Sequence, residues 1–279
     1  MTEFGDIAVG KSSVPSLIVT VVLIAAVPAA FFLVWRGRHR QRTKIAWLAA
    51  GAAGFVVSAR VLEIGVHYLC VVADNPVSRF INGSTAAYVL YGTAMAGVFE
   101  ECGRHVVLKY FLKRHRTREN AVLYGIGHGG IEALAVILPT MAVYLAVAVL
   151  FSRGDAKSAL GFLKITEENA AAALPTVRAA ASFDAGMAAM NVLERLLAMF
   201  VHISLTVIVF AGVVGAGKGC LPAAILLHML TDAFAALYQR GAVPLWAAEA
   251  WMAACCAATA FIAGRLYRKM EGLPSAENG

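Results

Sequence analysis

The chain has 279 residues, 60% of them hydrophobic and only 15% charged, with a mean hydropathy of +0.72. A soluble domain carries about 25% charged residues, so there is too little polar surface here to cover a globule of this size. The net charge of +7 gathers in short clusters beside apolar runs, which excludes a nucleic-acid-binding domain along with intrinsic disorder and a disulfide-stapled scaffold. What remains is an all-α, polytopic helical membrane bundle, expected as a single transmembrane domain over residues 1–279.

A span needs about 20 mostly apolar residues, and seven stretches meet that rule: roughly 15–35, 45–72, 85–111, 121–150, 191–216, 219–238 and 243–264. The first reads as a retained span and not a signal peptide, because Glu3 and Asp6 precede Lys11 and no convincing cleavage site follows. Arg36, Arg38, Arg40, Arg42 and Lys44 lie between the first two spans, and Lys113, Arg114, Arg116 and Arg118 between the third and fourth. Arg265, Arg268 and Lys269 follow the last span, whereas the opposite loops hold Arg79 alone and Arg240 alone. Basic clusters on alternate loops of an odd-span protein predict the N-terminus outside and the C-terminus inside a bacterial cytoplasmic membrane. The stretch 152–190, where Glu167, Glu168, Arg178 and Asp184 interrupt Ala-rich runs and Pro175 breaks them, reads as an external amphipathic or re-entrant element, or equally as a loose external loop. Cys70, Cys102, Cys220, Cys255 and Cys256 show no CxxC spacing and read as small buried hydrophobes.

Ionisable side chains inside a bilayer are costly and face the bundle interior, usually for a purpose. Span 2 carries Arg60, Glu63 and His67; span 3 carries Glu100, Glu101, Arg104 and His105; span 4 carries His128 and Glu132. Span 5 adds Glu194, Arg195 and His202, span 6 His228 and Asp232, and span 7 Glu249. Residues four apart lie about 40° apart on one helical face, so Glu100 with Arg104, His128 with Glu132, and His228 with Asp232 form same-face pairs. Counted from the cytoplasmic ends, Glu100, His128, His202 and His228 fall at similar depths of roughly 10–20 Å. That coincidence predicts one polar site assembled from four helices. Arg60 and Glu63, three apart, read as a structural ion pair; His67 and His105 are structural by default, and Glu249, between Trp246 and Trp251, reads as interfacial.

The stretch Phe99-Glu100-Glu101-Cys102-Gly103-Arg104 resembles the EExxR signature of the YhfC family of intramembrane metalloproteases. Gly127-His128-Gly129-Gly130-Ile131-Glu132 resembles that family's second motif, Glu194-Arg195 through His202 its third, and His228 with Asp232 its fourth. The four motifs occur in matching order over roughly residues 95–235. A wider group, the type II CAAX prenyl proteases and their bacteriocin-processing relatives, is similar in outline. Here Arg104 comes one residue earlier than in that group and Tyr124 stands where it has Phe, so prenylated substrates are not carried over.

The resemblance implies hydrolysis of a membrane-embedded or lipid-anchored peptide, with membrane lipid and no nucleic acid as the other surroundings. In one version Glu100 is the general base, tuned by the charge of Arg104 one turn away; Glu101 positions it or binds a neighbouring helix, His128 holds the water or shuttles the proton, and His228 with Asp232 stabilises the oxyanion. In the other, His128, His202 and His228 with Glu132 or Asp232 hold Zn²⁺, and Glu100 relays the proton. No compact HExxH pair decides between them. Glu and His chains across spans also suit a proton-coupled transporter, and a non-catalytic membrane scaffold with a protease-like fold is the third reading.

Overall fold

The computed structural model describes residue 4 and residues 7–272. Its described residues form ten helices and no strand: α1 Ser13–Arg38, α2 Ile45–Val72, α3 Pro76–Gly83, α4 Thr85–Val106, α5 Arg118–Ser152, α6 Ala156–Phe162, α7 Ala170–Ala181, α8 Ala185–Val213, α9 Cys220–Gln239 and α10 Leu245–Lys269. Six of them (α1, α2, α5, α8, α9 and α10) are long and apolar enough to cross a membrane. The third expected span is helical too, as α4 with a π-helical extension Val107–Phe111. It falls outside those six because Glu100, Glu101 and Arg104 crowd its last two turns.

Local chemistry sets the boundaries. Asn75 caps α3 by accepting from Val77 N at 2.9 Å and Ser78 N at 3.0 Å. Ser78 Oγ in turn accepts from Asn75 N at 3.1 Å, and Pro76 occupies the first turn, where its missing N–H costs nothing. Gly219, at φ 68°, turns the chain into α9 in a conformation that a side chain would strain. α2 and α5 are not uniformly α-helical: π-helical winding runs over Val56–Glu63 and Tyr68–Val72 in α2 and over Ala133–Ile137 in α5. Such insertions recur at functional sites.

The described chain forms two compact units, one from the residues before Pro28 with Ala133–Arg195, the other from Pro28–Glu132 with the residues from Leu196 onward. In the first, Val177 and Ala180 of α7 pack with Val147 and Phe151 of α5, Ala159 of α6 and Ile165. Ser13 Oγ donates to Ala181 O at 2.7 Å, fastening the end of α7 to α1. The stretch 152–190 thus carries the helices α6 and α7, packed into a core that they share with α5.

In the second unit, glycines let helix backbones touch. A Cβ on Gly51 would run into the Tyr124 carbonyl, and one on Gly127 into the Leu48 carbonyl, so α2 lies directly against the first half of α5. A Cβ on Gly125 would stand 2.7 Å from Ile203 Cα of α8, and one on Gly97 3.0 Å from the Ile225 carbonyl of α9. Lipid tails are as apolar as leucine, so close van der Waals packing of this kind holds such helices together. It also leaves His128, one residue beyond Gly127, fully buried.

Candidate active site

The second unit brings four helices to one buried polar centre. α4 supplies Glu100, Glu101 and Arg104, α5 His128 and Glu132, α8 His202 and Thr206, and α9 His228 and Asp232. His128 Nε2 lies 2.9 Å from Glu100 Oε2. His228 Nδ1 lies 2.8 Å from Glu101 Oε1, and its Nε2 3.4 Å from Asp232 Oδ2. The His202 ring stands between the other two imidazoles, with centroids 5.1 Å from His128 and 6.0 Å from His228. Glu101, Arg104 and His128 are wholly buried.

Partners are exchanged between helices. The same-face pair His128 and Glu132 does not pair with itself: Glu132 Oε2 lies 2.5 Å from His202 Nε2, while His128 turns to Glu100. The expected Glu100–Arg104 contact is loose at 4.0 Å, and Arg104 stands closer to Glu101, at 3.5 Å. Its guanidinium also donates to His202 O at 3.0 Å and to Thr206 Oγ1 at 3.1 Å, anchoring α4 to α8. Thr206 was not legible as a site residue, since a threonine four residues after a histidine in an apolar helix carries no signal of its own.

These contacts assign the tautomer of His202. A guanidinium has only donors, so the 3.3 Å approach of Arg104 Nη2 to His202 Nδ1 makes Nδ1 the acceptor. The ring proton then sits on Nε2, which lies in ion-pair contact with Glu132. Carboxylates hold metal-ligating imidazoles in the same way, with the lone pair of the other nitrogen turned to the ion.

Glu100, His128 and His202 each offer one ligand atom, and these atoms lie within 4.8 Å of one another. Glu100 thereby joins the candidate ligands, whereas His228 and Glu132 stand outside this compact set. Ligands about 2.0–2.1 Å from a tetrahedral ion lie roughly 3.3 Å apart. The separations of 2.9 Å (Glu100 to His128) and 3.9 Å (Glu100 to His202) bracket that value. His128 Nδ1 is buried with no hydrogen-bond partner among the described residues. The set therefore fits a small divalent cation.

The YhfC intramembrane metalloprotease family matches residues 21–254. The chain belongs to that family. A YhfC relative, named "Uncharacterized membrane protein YhfC" in Bacillus subtilis (strain 168), is 30% identical over 244 residues, covering 84% of this chain and 88% of its own. No solved structure matches. With its six apolar helices and this relative, the YhfC chain is a multi-pass integral membrane protein.

Other intramembrane ionisable groups stand apart. Glu194 pairs with its neighbour Arg195, and both belong to the first unit. The expected Arg60–Glu63 pair is not formed: Glu63 lies 3.2 Å from His67 Nε2, and His67 Nδ1 3.0 Å from the Tyr91 hydroxyl. Residues three apart are 60° apart in an α-helix, but the wider π-helical turn over Val56–Glu63 separates them by roughly 115°. Glu63 therefore turns inward while Arg60 stays exposed. Glu249 is buried on α10.

Proposed function

We propose that the protein is an intramembrane endopeptidase that hydrolyses a membrane-embedded or lipid-anchored peptide, using water activated at Glu100, His128 and His202. The observation that carries this reading is the meeting of a carboxylate and two imidazoles from three helices, with ligand atoms within 4.8 Å, in a buried centre. A Zn²⁺ ion held by these three side chains would act as a Lewis acid and make a bound water acidic near neutral pH. Glu100 and Glu101 share the one guanidinium of Arg104, at 4.0 and 3.5 Å, and a divalent cation at the three ligand atoms would add positive charge beside Glu100.

Within this reading each residue has a task set by its contacts. Glu132 holds His202 with its Nδ1 lone pair turned to the centre. Arg104 fixes Glu101, and Glu101 with Asp232 flanks His228 on both ring nitrogens. His228 can therefore hold a proton shared with two carboxylates and deliver it to the departing amine, while the proton of the attacking water returns to that carboxylate–imidazole cluster through Asp232. The buried Phe55 ring packs in a T-shaped contact on His128, with centroids 5.2 Å apart, and places an apolar wall beside the centre.

One observation favours a second reading, in which Glu100 is the general base and no metal takes part. Arg104 Nη2 already lies 3.3 Å from His202 Nδ1, placing a fixed positive charge against one of the three ligand atoms. Elemental analysis of protein purified in lipid nanodiscs separates the two. About one equivalent of metal, lost in His128→Ala and His202→Ala together with cleavage of membrane-inserted peptides, supports the metal reading. Cleavage that survives chelation in metal-free protein but disappears in Glu100→Gln overturns it in favour of the glutamate. Absence of cleavage across a broad set of membrane peptides overturns both.

A further inference from the structure

Arg60 is not absorbed by this chemistry. It lies near the middle of α2, roughly 20 Å from either end of the helix at 1.5 Å per residue. Its side chain is exposed, and among the described residues it makes no ion pair. The surface around it is apolar and open: Val57, Val61 and Ile64 are exposed, and beyond its own turn of helix no atom lies within 4 Å of where a Gly65 Cβ would stand. An uncompensated guanidinium on the apolar face of a membrane span is costly, and such residues are retained where they meet a partner.

Among the described residues Arg60 has no ion-pair partner, and the carboxylate nearest to it in sequence, Glu63, is turned inward to His67. A second copy offers none either. The partly exposed carboxylates on its candidate spans, Glu132, Glu194 and Asp232, are engaged by His202, Arg195 and His228. Lipid phosphates lie about 15 Å from mid-bilayer, further than one arginine reaches without dragging the headgroup inward. We infer that this face of α2 docks a membrane-spanning helix of another protein that carries an Asp or Glu side chain at mid-depth, with Arg60 as its counter-ion.

The test uses the full chain in phosphatidylcholine nanodiscs and two fluorescent Leu/Ala-rich spanning peptides that differ only in a central Glu or Gln. Energy transfer reads their association. The wild-type protein is expected to prefer the Glu peptide by about tenfold. Arg60→Leu should abolish the preference and Arg60→Lys should keep most of it, the lysine variant guarding against a folding defect in the leucine one. Equal binding of the two peptides to wild type, or a preference that persists in Arg60→Leu, overturns the inference. So does a preference that vanishes once phosphatidylglycerol is added, because an anionic headgroup would then be the occupant.

Discussion

At the residue scale, the centre depends on side chains that hold other side chains. Glu132 lies against Nε2 of His202, on the side of the ring opposite the Nδ1 that faces Arg104. Such outer carboxylates tune metal affinity, and Glu132→Gln is expected to weaken Zn²⁺ binding by about 10–100-fold with the fold intact. Competition against a fluorescent chelator measures this. Tyr124 presents the opposite case. Its hydroxyl is buried against Gly54 and finds no partner among the described residues. A buried hydroxyl without a partner destabilises, so Tyr124→Phe should raise stability by about 1 kcal/mol, seen as a higher melting temperature in detergent. The acids and imidazoles themselves were legible as a group, because depth along each helix follows from residue counting. The pairings were not, since which carboxylate meets which imidazole depends on how four helices are rotated against one another.

At the element scale, helix ends and windings do the positioning. The carbonyls that end α4 and its π-helical extension are collected by a single side chain. Arg116 donates from Nε to Leu112 O at 3.0 Å and from Nη2 to Leu108 O at 3.2 Å and Lys109 O at 2.7 Å. Arg116→Ala is expected to cost about 1 kcal/mol, because it releases carbonyls that have no intrahelical donor. Urea titration of the protein in mixed micelles checks the value. Helix existence was readable from the apolar runs to within a few residues for most elements. The largest departure is α8, which begins at Ala185 where the apolar run suggested 191. The residues added at its start, Ala185 to Met190, are small or apolar, and Asp184 accepts from Met187 N at 2.8 Å and caps the turn, which fixes a start that composition leaves open. The π-helical windings were not readable at all, and they explain why Glu63 pairs with His67 and leaves Arg60 outward.

At the scale of the whole molecule, ties between distant segments matter most. Arg118 at the start of α5 donates to Glu271, beyond the end of α10, at 3.0 Å. That hydrogen bond, with the guanidinium charge, holds the Glu271 carboxyl below the usual glutamate range. A carboxyl with a lowered value in the folded state adds stability above its unfolded value, and the contribution is lost as pH falls through the folded one. Melting temperature should therefore drop with acidification through the carboxylate range, and Glu271→Gln should remove that part of the dependence. The sequence alone determined that this chain is a helical membrane protein. It also determined which helices carry ionisable groups, and at what depth, because hydrophobic length and residue spacing are one-dimensional quantities. Only the tertiary structure decided the rest: glycine contacts bring α2, α5 and α8 close enough for their side chains to meet, and the rotation of each helix chooses Glu100, His128 and His202 as neighbours out of several possible sets. Rotation about an axis is set by packing against other helices, which no spacing along one chain records.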